Sequence, residues 1–556
     1  MHLTTTILLL LFITALSNLV VTVVRVPLPL LQIAIGALCD IAGFHVSFDP
    51  DLFLLLFIPP LLFADAYRIP KRELTESGVP VLALAFGLVI FTTVSIGLFV
   101  HSLLHFVPLA AAFALAAVLS PTDAVALSGI LNGRALPRRF MHILQGEALL
   151  NDASGLVSFK FAVLAMVAGS FSLPHAVANF VFVALGGVAI GAVLGWGFFQ
   201  LDQKILAKRA EEASIYAVLI LLLPFAAYLA AEKAGVSGIL AAVVAGLTLN
   251  LLDPFGGSHG AIRRQTGALW GILEFAFNGL IFLLLGLQLP GILEDGVQRT
   301  IRAGYSPWSL LLLMVVITLA LILLRFIWVL LTLLLRSGLR RARGLRPGGG
   351  LIGLVPLTVA SIAGVRGAVT LAGILSLPFY LPSGEPVPTR ALLICLASGV
   401  IVLSLLIAVI GLPLLLPRLK MPEMDRFEAE LAAARRMMAE SAIRGLEERV
   451  EAGIRRRQGA LERNAYEEAA GRVLADYRIK LEGRDGDAAN HERAREDQRA
   501  EIALRLRALR AERAEMRKLR QSHAINDEAV QRLIAEIDIE EEALSRMADS
   551  LPDPKR

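Results

Sequence analysis

Thirteen apolar runs, each long enough or nearly long enough to cross a bilayer as a helix, fill the first 420 of 556 residues. A membrane helix takes about 20 mostly apolar residues. The runs lie at roughly 5–24, 28–44, 52–67, 79–104, 109–131, 142–169, 174–201, 213–232, 236–251, 267–290, 307–335, 351–377 and 390–417. The second contains Gly36 and Asp40, and the ninth is short. No Lys or Arg precedes the apolar stretch of the first run, which is therefore expected to stay as a helix rather than leave as a signal peptide. The expected fold is an all-α polytopic membrane protein with about 13 transmembrane helices.

The apolar pattern stops near Pro422. Residues 1–420 carry 26 Lys/Arg and 18 Asp/Glu, whereas residues 421–556 carry 27 and 30. Two domains follow: a transmembrane domain over 1–420 and a charged, cytosolic helical domain over 421–556. Basic residues in the membrane part alternate between loops. Loops after odd-numbered runs hold 19, among them Arg25, Arg68, Lys71, Arg72, Arg134, Arg138, Arg139, Lys204, Lys208, Arg209, Arg336, Arg340 and Arg341. Even-numbered loops hold Lys233, Arg299, Arg302 and Arg390. By the positive-inside rule the odd loops face the cytoplasm, so the N-terminus is outside and the tail inside a cell inner membrane. The net charge of +5 is then a topology signal and does not mark nucleic-acid binding.

Cys39 and Cys395 sit in apolar runs and serve as small hydrophobic residues. In the tail, residues 425–482 and 490–522 are expected to be helical, and Asn526 to cap a last helix through Val530, Leu533, Ile534, Ile537 and Leu544. Arg505, Arg507, Arg510, Arg513, Arg517 and Arg520 are placed to lie on anionic lipid headgroups.

Charge inside a bilayer is costly and marks function by default. The intramembrane set is Asp65, Asp123, Glu147, Asp152, Lys160, Glu274, Arg325 and Arg366. Pro121, beside Thr122 and Asp123, should break the fifth run near its middle. Two glycines, Gly364 and Gly367, flank Arg366 in the twelfth. Interrupted helices at matching places in two inverted halves point to a transporter's central site. The half-helix ends carry partial charges that an Asp and an Arg can compensate. In the sixth run Glu147 and Asn151 share a helix face, while Asp152 is turned away from Glu147 by about 140°. Glu274 and Asn278 read first as a polar contact between helices. The sequence has no HExxH and no Walker A loop, so neither an enzyme nor an ATP-driven pump is expected, and no cofactor.

Pro59-Pro60-Leu61-Leu62-Phe63, Ser120-Pro121-Thr122-Asp123-Ala124, Gly146-Glu147 with Asn151-Asp152, and Gly364-Val365-Arg366-Gly367-Ala368, in that order, resemble the monovalent cation/proton antiporter family. The resemblance is to its NhaP and eukaryotic sodium/proton exchanger branch, and most of all to the bacterial YjcE-like members. It implies two inverted six-helix repeats whose fifth and twelfth helices are crossed and unwound. It implies that Asp152 takes the cation or the proton, with Asp123, Thr122, Asn151 and Asp65 around it and Na+ held at Asp152, Asp123 and Thr122. Glu147 and Arg366 would form a structural ion pair, and two copies would assemble as a homodimer. The family often carries Glu where this chain has Asp65, and archaeal relatives carry Ser where it has Ala148.

Na+ and H+ are the expected cargo, with K+ or Li+ as alternatives. Asn151 in place of a second acid suggests one-for-one, electroneutral exchange. An ion-coupled symporter or a channel on the same fold remains the alternative activity.

Overall fold

The structure is a computed structural model. It describes residues 3–24, 26–44, 50–69, 78–131, 136, 138–168, 173–206, 213–252, 260–302, 306–342, 353–380, 387 and 389–419 of the membrane part. In the tail it describes 436–437, 440–448, 502–515, 518, 527–549 and isolated positions between 450 and 474. The chain divides into two compact units, Met1–Glu423 and Met424–Arg556.

Among the described residues of the first unit the regular elements are all helices, with no β-strand. The elements are α1 (Leu3–Val24), α2 (Leu28–Ile41), α3 (Pro50–Arg68), α4 (Gly78–Leu82), α5 (Val89–Leu103), α6 (Leu109–Leu119), α7 (Ala124–Leu131), α8 (Arg138–Ala168) and α9 (Leu173–Leu201). They continue with α10 (Ala213–Lys233), α11 (Gly238–Leu252), α12 (Gly260–Arg302), α13 (Pro307–Ala342), α14 (Leu354–Ile362), α15 (Ala368–Leu375) and α16 (Arg390–Leu415). Seven of the described helices are long and apolar enough to cross a membrane, and α6 and α7, bent by 46° at the break between them, are so when taken together. The first, second and ninth runs appear as shorter apolar helices.

Glycine lets several of these helices meet backbone to backbone, the usual device where lipid offers no hydrophobic drive to association. Gly187, Gly191 and Gly195 of α9 lie against Ser237, Ala241 and Ala245 at the start and along the face of α11, where a side chain would strike backbone oxygen. Gly36 of α2 and Gly286 of α12 face each other in the same way. Between α4 and α5 the chain makes a π-helical turn, Ala83–Leu88. Such turns leave carbonyls without helical partners. Here Trp328 Nε1 donates to the Ala83 carbonyl at 3.0 Å and Ser154 Oγ to that of Ala85 at 2.6 Å. Both cysteines are free.

In the second unit α17 (Asp527–Asp549) and the helical residues 502–515 pack through Ile502, Leu509, Ile537 and Leu544. Arg513 pairs with Asp538 and Glu541, each at 2.5 Å. Asn526, nearly all of 451–501 and most of the basic loop residues lie outside the described residues, as do the expectations resting on them.

Candidate functional site

Two interrupted helices meet at the centre of the first unit. α6 ends at Leu119, four residues run without helical structure, and α7 starts at Ala124. α14 ends at Ile362 and α15 starts at Ala368. The open stretches touch: the Asp123 N–H donates to the Val365 carbonyl at 2.8 Å. Asp123 then serves both half-helices that begin here. Its Oδ1 accepts from the N–H groups of Val125 and Ala126, each at 2.8 Å, and its Oδ2 from Ala368 at 3.2 Å. A carboxylate is well placed at positive helix N-termini.

Arg366 does the converse for the half-helices that end here. Its Nε donates to the Leu119 carbonyl at 2.9 Å, and its guanidinium also donates to the Gly364 carbonyl. The flanking glycines have steric reasons. A Cβ at Gly367 would collide with the Asp123 carboxylate, and one at Gly364 would stand 2.8 Å from Arg325 Cδ.

Glu147 lies beside this crossing on α8, fully buried. Its partner is Arg325 of α13, not Arg366 as the family resemblance implies. Arg325 Nη2 donates to Glu147 Oε2 at 2.8 Å, Nη1 pairs with Oε1, and Nε donates to the Ala360 carbonyl at 2.8 Å. The reason for the correction is that the Arg366 guanidinium is already spent on the carbonyls of two helix ends. Arg325, at 2% exposure in the middle of an apolar helix, has a planar fork that matches a carboxylate two-pronged.

Thr122 links this pair to the next turn of α8. Its hydroxyl donates to Glu147 Oε1 at 3.4 Å and accepts from Asn151 Nδ2 at 2.9 Å. Asn151 Oδ1 is buried with no hydrogen-bond partner among the described residues. Asp152, 8% exposed, has no hydrogen-bond or ion-pair partner among the described residues. Asp65 of α3 and Asp123 are half-buried, and both lie within electrostatic reach of Asp152. The three carboxylates do not close into one cluster: among the described residues no three His, Cys, Asp or Glu side chains are grouped to hold a metal ion.

Residues 7–418 match the family model described as sodium/hydrogen exchanger, transmembrane. The chain belongs to this family. Among relatives of this exchanger, the uncharacterized Na(+)/H(+) exchanger YjcE of Escherichia coli strain K12 is 42% identical over 545 residues, 97% of this chain and 98% of that protein. The sodium, potassium, lithium and rubidium/H(+) antiporter of Bacillus pumilus is 36% identical over 507 residues, 90% of this chain and 72% of that one. The sodium proton antiporter MjNhaP1 from Methanocaldococcus jannaschii shares the fold, with a TM-score of 0.56 at 17% identity, over 75% of this chain and 99% of its own. These relatives are transporters, not enzymes.

Two further charges of the exchanger find partners that sequence left open. Arg68 pairs with Glu274 at 2.7 Å, which makes Glu274 a contact between α3 and α12. Lys160 of α8 pairs with Glu232 of α10 at 2.6 Å. Glu232 escaped the intramembrane set because it ends an apolar run, where a charge is unremarkable. Arg325 was in that set, but spacing alone offers no way to match charges on helices 178 residues apart.

Proposed function

We propose that this chain is a secondary active antiporter that exchanges Na+ for H+ by alternating access, with cation and proton competing for Asp152. One observation carries the reading. Within six residues of α8, Glu147 is fully paired while the Asn151 amide oxygen and the Asp152 carboxylate have no hydrogen-bond or ion-pair partner among the described residues. Hard cations take several oxygen ligands. The Asp152 carboxylate, Asn151 Oδ1 and the Thr122 backbone carbonyl are the oxygens assigned to the cation. Asp123 supplies negative charge more than a ligand, since both its oxygens face helix N-termini. Asp65 stands at the edge of the site.

A proton neutralises the group the cation needs ionised, so the two exclude each other. A core that crosses only when loaded then performs exchange, because the empty site would drag uncompensated charge past an apolar seal. Asn151 beside Asp152 leaves one carboxylate for each turnover and makes the exchange electroneutral. The proposal includes two inverted six-helix repeats within 13 spans, a homodimer in the inner membrane, an outside N-terminus, a cytosolic tail, and a role in intracellular pH and cation homeostasis.

The test is ΔpH-driven flux in proteoliposomes, with Na+, Li+ and K+ offered in turn and no organic substrate present. Wild-type protein dissipates ΔpH on cation addition, and Asp152→Asn does not. Wild-type flux from that variant refutes the assignment. The four cations in the name of the Bacillus pumilus relative favour a second reading, in which K+ is the main cargo. Flux with K+ exceeding that with Na+ at equal concentration would decide for it.

A further inference from the structure

We propose that the Lys160–Glu232 ion pair is a latch that closes the protein at the end away from the basic loops and breaks each time the site opens there. The proposal rests on the alternating-access reading above. It starts from how the helices are fastened. α8, which carries Asp152, is tied to one set of neighbours: Gly155 lies on Pro121 and the Ala117 carbonyl, Ser154 bonds Ala85, and Glu147 pairs with Arg325.

α9, α10, α11 and α3 form a second set. The glycines of α9 lie on α11, and Gly238 of α11 packs on Tyr228 of α10. Asn250 of α11 donates to the carbonyls of Ala66 and Ile69 at 3.1 and 2.8 Å. By comparison, α8 touches α9, α11 and α3 only thinly.

The Lys160–Glu232 pair spans that thin seam at 2.6 Å. Its two halves differ. Glu232 Oε1 also accepts from the Gly238 N–H at 3.3 Å, which fixes the carboxylate at the start of α11. Lys160 reaches it from α8 on a flexible four-carbon arm.

Lys160 is eight residues beyond Asp152, about 12 Å along the helix axis at 1.5 Å per residue. α8 begins at Arg138, and α10 is entered from the Lys204–Arg209 segment, so Lys160 and Glu232 both lie toward the far ends of their helices. The side chains are 39% and 35% exposed. Neither side chain is enclosed by packing, which leaves the pair free to part. The buried Glu147–Arg325 pair, inside one set of helices, has no such freedom.

The test replaces Cys39 and Cys395 with Ala, introduces Lys160→Cys with Glu232→Cys, and joins the two thiols by a short bis-methanethiosulfonate that dithiothreitol releases. Bridging is expected to cut exchange by at least about tenfold, as for any arrested gate, with recovery on reduction. Bridged protein that transports at its reduced rate overturns the latch. A second measurement needs no bridge. Lys160→Gln, with Ser158→Cys as reporter, should raise labelling by a membrane-impermeant thiol reagent added at the closed side, and the charge swap Lys160→Glu/Glu232→Lys should lower it again. Equal labelling with and without Lys160 overturns the proposal. Exchange by the reduced double-cysteine protein, and its loss in Asp152→Asn, report on the antiport reading separately.

Discussion

Removing Arg325 should destabilise the membrane unit more than any other single loss of charge in the core. Glu147 is 0% exposed and Arg325 is 2% exposed, and the guanidinium holds both carboxylate oxygens as well as the Ala360 carbonyl. Arg325→Gln leaves a carboxylate where no water reaches it. Breaking one side of a buried pair costs about 3–5 kcal/mol, or roughly two to three and a half orders of magnitude in the unfolding equilibrium at 1.4 kcal/mol per factor of ten. Removing both charges costs far less, because no lone charge remains buried. Glu147→Gln/Arg325→Met should therefore recover most of the loss.

Reversible denaturation in mixed micelles measures each variant and closes the double-mutant cycle. A second cycle pairs Glu147→Gln with Arg366→Gln. Its coupling should be the smaller, since Arg366 reaches helix carbonyls and not Glu147. A Glu147–Arg366 coupling larger than the Glu147–Arg325 coupling refutes this assignment of partners.

Gly367→Ala should abolish exchange, because the new methyl collides with the Asp123 carboxylate; normal flux from purified, folded variant would contradict the crossing geometry. Asp123→Ala strips the N-termini of α7 and α15 of their shared acceptor. A lost cap costs about 0.5–2 kcal/mol, so a drop of that size in micelle stability is expected, together with weaker cation binding. Lowering pH should raise the apparent KM for the cation without changing the maximal rate, by about tenfold per pH unit once Asp152 is mostly protonated. The sign follows from competition, as protons fill the site that the cation needs empty. A fall in maximal rate at constant KM would exclude a shared carboxylate.

The helical class, the break at Pro121 and the glycine-flanked arginine were legible because each depends on local rules: run length, a missing backbone donor, and space for a side chain. Asp123 was legible as a central residue but not in its detail. Its placement between two helix starts depends on Ala368, 245 residues away, which no local pattern announces. The Glu147 partner failed for the same reason. Arg366 and Arg325 look alike in sequence, each a lone arginine in an apolar run, and only the fold shows that one of them is consumed by backbone carbonyls. Glu232 was missed because its position at a helix end resembles ordinary surface charge.

The pairing pattern bears on stoichiometry. Asp123 is balanced by two helix N-termini, Arg366 by carbonyls at two helix ends, Glu147 by Arg325 and Glu274 by Arg68, whereas the Lys160–Glu232 pair spans the moving seam. A balanced charge moves no net charge when its helices move, because its partner moves with it or stays with it. Of the acids in the intramembrane set, Asp65 and Asp152 are the two with neither an ion pair nor a helix N-terminus against them among the described residues, and Asp65 lies on α3, in the set of helices fastened to α11. If α8 moves against that set, Asp152 is the unpaired acid that travels with the cargo. One carboxylate carries one Na+ or one H+, and either load neutralises the site. In the proposed cycle, electroneutral exchange rests on the fastening of α3 as much as on Asn151. A transport current on supported membranes that scales with cation jumps, and that vanishes in Asp65→Asn, would show that Asp65 crosses too.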